Sequence, residues 1–274
     1  MKQQITCFLF IILTTAAMSQ NKGNYAPVNG LKMYYEIYGK GAPLVLIHGG
    51  GSTIDVTWGR IIPQLAQHHQ VIAVEMQAHG RTADIDRPFS FEQDADDIAA
   101  LLQYLHIPKA DIFGFSNGGQ TTLQVAIRHP EVVNRIIVAS AFYKKAGAYP
   151  WLWDFLAKGS FEGMPQPLKD AFLKVNPSQE ALRASHDRDL HRMQHFQDMK
   201  ETDIKNIKAP TLILCGDHDV ITPEHAVEMF RQIPGSRLMI LPGGHGEYLG
   251  ELLTLSPAHK GDFAVVPLVE SFLN

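Results

Sequence analysis

Apolar and polar positions change their period several times along this chain, and each change marks an element. Over residues 31–38 the apolar positions alternate (Met33, Tyr35, Ile37), which predicts a half-buried strand. Gly39-Lys40-Gly41 turns it into a second apolar run, 43–47. Residues 58–66 have helical spacing and 70–74 form a third apolar run. Residues 91–105 predict an amphipathic helix, with Ile98, Leu101, Leu102 and Leu105 on one face and acids near its start, where the helix dipole favours them. The wholly apolar run 110–115 passes directly into a helical stretch, 119–128, stopped near Pro130, and 135–139 is again apolar. The rhythm resumes later with strands at 211–215 and 237–241, a helix at 222–230 entered through Pro223, and a last helix at 263–273 that contains Pro267. Apolar strands alternating with helices predict an α/β fold: a mostly parallel sheet covered by helices on both faces.

Between residues 142 and 203 this alternation stops. Aromatic residues (Tyr143, Tyr149, Trp151, Trp153, Phe155, Phe161), prolines and short helical stretches take over. The segment is too long for a structureless loop, which predicts a helical cap, 142–203, inserted into a core made of 20–141 and 204–274. Phe142, Trp151 and Trp153 are candidates for facing a substrate pocket, and packing within the cap is the competing role for each. The N-terminus has its own pattern: Met1-Lys2, an apolar stretch over 5–17, then Ala17-Met18-Ser19. This is the layout of a secretory signal cleaved near Ser19, so residues 1–19 are expected to be a signal peptide and the protein to be exported, periplasmic or secreted. An uncleaved anchor is the lesser alternative, since the apolar run is short for a membrane span. A lipoprotein signal would need a Cys at the cleavage point, and Cys7 lies too early. Cleavage leaves Cys215, inside an apolar strand, as the sole thiol, so the mature chain has no internal disulfide.

Composition narrows the function less than the pattern does. With 45% apolar and 19% charged residues over 274 positions, the chain can bury one large core. A net charge of −4, with no run of Lys or Arg, argues against a nucleic-acid surface.

The chemistry concentrates at Gly114-Phe115-Ser116-Asn117-Gly118, a G-x-S-x-G pattern between an apolar strand and a helix. A sharp strand-to-helix reversal strains the corner residue and brings backbone close on either side, which demands glycine two positions before and after. A serine hydroxyl is a weak nucleophile, so it needs a base, an acid to orient that base, and donors for the developing oxyanion. In an open parallel sheet such groups converge at the carboxyl ends of strands. Asp219 follows one C-terminal strand and His245 the next, giving the order Ser, Asp, His, with Asp217 as a competitor for the acid. His48 and His79 lie in tight loops and fit structural hydrogen bonding. His191 and His195 are four residues apart on a cap helix, a spacing open to a metal but more simply a solvated face, as for the Asp187/Asp189 pair. His259 would serve as base only if the tail folded back.

Together, His48-Gly49-Gly50-Gly51, Gly114-Phe115-Ser116-Asn117-Gly118, Gly216-Asp217-His218-Asp219 and Gly244-His245 resemble the α/β-hydrolase superfamily. The resemblance covers nearly all of the chain outside the signal and the cap. It implies an α/β-hydrolase fold with Ser116 as nucleophile, His245 as general base and acid, and Asp219 as orienting carboxylate, since the family's acid comes three residues after the glycine. It also implies backbone N–H groups of Gly50 and Asn117 as oxyanion donors, and no metal or organic cofactor. Two departures stand out: Glu75 replaces a frequent Asp, and the segment 246–261 is longer than usual. The expected activity is hydrolysis of a carboxylic ester or lactone, including a bulky lactone such as a macrolide antibiotic. A carbon–carbon bond hydrolase, an acyltransferase and a non-catalytic ligand receptor of the same fold remain open. The expected partner is a small molecule, with no nucleic acid and, after signal cleavage, no stable membrane insertion.

Overall fold

In the computed structural model, which describes residues 23–255, 259 and 263–274, the alternation becomes one eight-stranded sheet. The expected signal peptide lies outside the described residues. The strands are β1 (Asn24–Val28), β2 (Leu31–Tyr38), β3 (Ala42–Ile47), β4 (His69–Glu75), β5 (Ala110–Phe115), β6 (Val133–Ala139), β7 (Thr211–Gly216) and β8 (Arg237–Leu241), in the spatial order β1-β2-β4-β3-β5-β6-β7-β8. β1 and β2 pair antiparallel, as do β2 and β4, and every other neighbouring pair is parallel. Although β2 runs into β3 through the 39–41 turn, β4 sits between them. The parallel β3–β4 pair needs a crossover, and two short helices, α1 (Ile54–Trp58) and α2 (Ile62–Leu65), supply it where sequence spacing predicts one helix over 58–66.

Each sheet face buries its own core. On one side α3 (Phe91–Tyr104) and α4 (Asn117–Arg128) pack Ile98, Leu101, Leu102, Leu123 and Val125 against Val45, Ile72 and Ile136. The start of α3 is capped by Ser90, whose hydroxyl accepts from the Gln93 N–H at 3.2 Å. On the other side Trp58, Ile61 and Leu65 join α10 (Val265–Leu273) over Leu44, Leu46 and Phe113. Pro267 falls in the first turn of α10, where its missing N–H costs no hydrogen bond. Helix α9 (Pro223–Gln232) follows β7.

Between β6 and β7 the chain forms α5 (Pro150–Ala157), α6 (Gln166–Val175), α7 (Gln179–Gln194) and α8 (Glu201–Lys205). Val56 of α1 meets Met164, Leu168, Phe172 and Leu182 in a third apolar cluster, which seats this helical insertion over the carboxyl ends of the strands. Among the described residues, no helix is long and apolar enough to cross a membrane.

Candidate active site

The corner between β5 and α4 carries the first functional side chain. Ser116 has φ 54° and ψ −122°, a backbone conformation that non-glycine residues rarely adopt. The two glycines around it answer to different neighbours. A Cβ on Gly114 would lie 2.0 Å from the Gly118 carbonyl oxygen, and one on Gly118 would lie 2.2 Å from the Ile47 carbonyl at the end of β3. The glycines therefore let α4 fold back over β5 and let the turn press against β3, and Ser116 projects half-buried from the corner.

Two other strand ends reach the same point. His245, in the loop after β8, places Nε2 at 3.0 Å from Ser116 Oγ and Nδ1 at 2.6 Å from Asp219 Oδ1. Asp219 follows β7 and is buried; its carboxylate also accepts from the N–H groups of Val220 (2.7 Å) and Gly216 (3.0 Å) and from the Ser140 hydroxyl (2.5 Å). Ser140 in turn lies 2.7 Å from the hydroxyl of buried Tyr248, which donates to it because the Ser140 proton is committed to the carboxylate. Burial alone would push the Asp219 carboxyl up, but the neighbouring His245 charge and these hydrogen bonds outweigh it and hold Asp219 below the usual carboxylate range. Asp217 points elsewhere: it binds His218 and the Gly243 N–H on the surface. Ser140 and Tyr248 were missed by sequence reasoning. Ser140 sits at the carboxyl end of β6, so a search of strand ends for hydroxyls as well as acids would have found it.

The loop after β3 packs on this corner. Gly50 and Asn117 border the same cavity as Ser116, and a Cβ on Gly50 would lie 2.5 Å from Asn117 Nδ2. Asn117 is the first residue of α4, so its N–H belongs to the first turn, whose donors have no partner within the helix. Two buried histidines brace the loop. His48 donates from Nδ1 to Gly49 O (2.7 Å) and accepts the Met76 N–H at Nε2 (3.1 Å), which fixes it neutral; burial takes its pKa down to about 3. His79 donates from Nδ1 to Gln77 O (2.8 Å) and faces Asp189 with Nε2 at 2.7 Å. Burial opposes a charge on His79, yet the Asp189 carboxylate prevails and raises its pKa; the Gly51 N–H also lies 3.2 Å from Nε2. Asp189, expected on a solvated face of the cap helix, is thus buried, because α7 lays that face onto the β3 loop. Glu75 is also buried and accepts from the Arg81 backbone (2.6 Å) and guanidinium (2.8 Å), holding the turn that carries His79.

Above Ser116 lies a cavity of about 450 Å³. Its walls are mainly apolar: Leu152, Phe155 and Leu156 from α5, Leu168 from α6, and Phe142 and Met193. Phe142 therefore stands where the sequence suggested. Trp151 and Trp153 do not line the cavity, a correction that follows from helix phase: Leu152, Phe155 and Leu156 occupy the i, i+3, i+4 face of α5 that looks inward. Trp151 is 53% exposed, and Trp153 packs on Phe142 and Phe196 while its indole N–H donates to Lys145 O at 3.0 Å. His191 and His195 meet with their rings tilted by 33° and centroids 4.1 Å apart, and among the described residues no group of three His, Cys, Asp or Glu side chains is placed to hold a metal ion. His259 stacks on Phe263, and the long segment after His245 falls partly outside the described residues.

Residues 42–195, more than half of the chain, match the model of the alpha/beta hydrolase fold family. The chain belongs to that family. Across 271 aligned residues, 91% of this chain and 88% of its counterpart, it is 26% identical to the 2-hydroxy-6-oxo-6-(2'-aminophenyl)hexa-2,4-dienoic acid hydrolase of Metapseudomonas resinovorans. It superimposes on a serine hydrolase involved in carbazole degradation with a TM-score of 0.75 at 25% identity, covering 92% of this chain and 98% of that one. The enol-lactonase of Burkholderia xenovorans shares the fold, with a TM-score of 0.70 at 24% identity over 91% of this hydrolase and 99% of that chain.

Proposed function

We propose that this hydrolase cleaves neutral carboxylic esters or lactones through an acyl-enzyme on Ser116. The observation that carries the proposal is the unbroken series of contacts from Asp219 through His245 to Ser116 Oγ, at 2.6 and 3.0 Å. In this reading His245 Nε2 takes the Ser116 proton as Oγ attacks the carbonyl, and Asp219 fixes the ring and balances the imidazolium. The N–H groups of Gly50 and Asn117 stabilise the oxyanion. The imidazolium then protonates the departing alkoxide, and a water activated by the same nitrogen releases the acid. No metal or organic cofactor enters these steps.

The mainly apolar walls favour a neutral substrate, and the two charged side chains that border them, Asp189 and Lys158, are of opposite sign. Asp189 is held ionised: burial raises its pKa, but His79 and Arg192 more than reverse that. The guanidinium of Arg192 is spent on Asp94 (2.7 Å) and Asp189 (2.6 Å), so it offers nothing to an acidic substrate. The apolar walls, among them the exposed Phe155 of α5, suit a bulky acyl or alcohol portion, and macrolide lactones fall within the proposed class. Cleavage of a carbon–carbon bond is the second reading, favoured by the dienoic acid hydrolase that aligns over 91% of the chain. We place the enzyme outside the cytoplasm, on the signal-like pattern of residues 1–19, with residues 142–203 acting as its cap. A fluorophosphonate probe together with a panel of aryl esters, lactones, macrolides and a dienoic acid tests the activity. Labelling and ester or lactone turnover are expected for wild type and lost in Ser116→Ala; turnover of the dienoic acid alone would establish the second reading, and equal ester turnover by both proteins would refute the mechanism.

A further inference from the structure

One buried side chain of the cap touches both elements assigned to the oxyanion. Asp189, on α7, accepts the Gly51 N–H at Oδ2 (2.6 Å) and places the same oxygen 2.7 Å from His79 Nε2. Its Oδ1 accepts from Arg192 (2.6 Å) and from the Asn117 side-chain amide (3.4 Å). The carboxylate also presses on Gly50: a Cβ there would come within 3.2 Å of Oδ2. The chain of contacts continues from Arg192 to Asp94 (2.7 Å) and on to Thr121 of α4 (3.4 Å). Only 8% of Asp189 is exposed, and a buried ion pair is seldom the most stable way to join two packed surfaces. An apolar contact would attach the cap at least as well. What the carboxylate adds is direction. Gly51 has φ +61° and no side chain, so the plane of the peptide between Gly50 and Gly51 depends on what its N–H meets: Asp189 Oδ2 at 2.6 Å and, farther off, His79 Nε2 at 3.2 Å. The hydrogen bond to Asp189 fixes it, and with it the orientation of the adjoining peptide that carries the Gly50 N–H.

We propose that Asp189 is a positioning residue through which the seated cap sets the geometry of the oxyanion donors at Gly50 and Asn117. The proposal rests on the serine-hydrolase reading above. When the cap is seated, the β3 loop and the start of α4 are held in one arrangement; when α7 lifts, Gly51 loses its nearer acceptor, Asp189, and the donor pair loosens. Capture of substrate under the cap and assembly of the oxyanion site are then a single event.

The experiment compares wild type with Asp189→Leu, which keeps bulk but removes every acceptor, and Asp189→Asn, which keeps one carbonyl oxygen for Gly51. Each is measured for kcat and KM on a neutral 4-nitrophenyl ester, for inhibition by an aryl boronic acid whose Ser116 adduct places an oxygen at the oxyanion position, and for melting temperature. A misplacement of about 1 Å is enough to lower kcat about 10²-fold in Asp189→Leu, with KM changing by less than about threefold because ground-state binding is untouched. Boronate affinity is expected to fall by a similar factor, since it reads transition-state geometry, and Asp189→Asn to recover about tenfold of the loss through its remaining acceptor. Should Asp189→Leu fail to fold, the charge-balanced Asp189→Leu/Arg192→Met protein takes its place with the same expected losses. A folded variant with kcat near wild type, or one whose kcat falls while boronate affinity holds, overturns the proposal. Ester turnover that survives Ser116→Ala removes instead the reading beneath it, so the two failures are told apart.

Discussion

Replacing Asp219 with Asn isolates the electrostatic part of the site, because size and shape are kept while one acceptor becomes a donor. The structure leaves the new amide no suitable orientation. With nitrogen at the Oδ1 position it faces the Val220 N–H and the His245 Nδ1. The His245 ring then moves its proton to Nε2, where it no longer accepts from Ser116. With nitrogen at the Oδ2 position it faces the Gly216 N–H and the Ser140 hydroxyl; Ser140 turns to accept from the amide, but Gly216 keeps an unpaired buried donor. In that orientation the tautomer survives, yet the negative charge that balances the imidazolium is gone. The Asp-to-Asn change in a serine–histidine–aspartate triad lowers kcat by about 10⁴-fold through the wrong tautomer, which corresponds to about 5.5 kcal/mol of barrier. The unpaired donor adds a stability cost of about 1–3 kcal/mol, equivalent to roughly 2–4 °C in Tm per kcal/mol for a domain of this size. Steady-state turnover of a 4-nitrophenyl ester, with melting curves on the same samples, measures both effects. The parallel Asp217→Asn protein controls for the competing acid, and its turnover is expected to stay near wild type because that side chain is on the surface. A loss of less than about tenfold in Asp219→Asn, against the 10⁴ expected of a triad acid, would refute the assignment, and so would an equal loss in Asp217→Asn.

Two further outcomes follow from packing. Gly114→Ala forces a methyl to within 2.0 Å of the Gly118 carbonyl oxygen, a contact that only backbone displacement relieves. It is expected to destabilise by about 3 kcal/mol, the upper end of overpacking costs, read as a lower denaturant midpoint with an unchanged slope; wild-type stability would contradict the steric account. Phe142 and Trp151 are expected to separate cleanly. Phe142→Ala empties a position that is 3% exposed, lines the cavity and packs on Trp153 and Phe196, at a cost of about 3–5 kcal/mol. Trp151→Ala removes a side chain that is 53% exposed and shifts stability by no more than about 0.5 kcal/mol. Chemical denaturation of the two variants decides the order, and a larger loss from Trp151 would mean that the face of α5 is misassigned.

The sequence by itself determined what local sterics and burial dictate. Apolar runs of strand length alternating with amphipathic stretches specified a parallel sheet between two helical layers, because only strands buried on both faces are apolar throughout. The glycine–serine–glycine spacing specified the sharp corner at Ser116, since a Cβ at Gly114 or Gly118 would meet backbone. Acid and base were legible as residues just beyond strand ends, and the chain does bring Asp219 and His245 to Ser116. Tertiary structure alone decided the rest. That β4 separates β2 from β3 depends on long-range pairing that no local pattern encodes. Which of the cap aromatics meets the cavity depends on the rotation of α5, and a helix this short and apolar has no polar face to fix its phase in advance. Asp189 is the sharpest case: on a helix rich in charge it is indistinguishable in sequence from a solvated acid, and it became a buried partner of His79, Gly51 and Arg192 only when α7 packed onto a loop more than a hundred residues earlier in the chain. Burial of a charge is decided by what surrounds it in space, and the chain order does not carry that information.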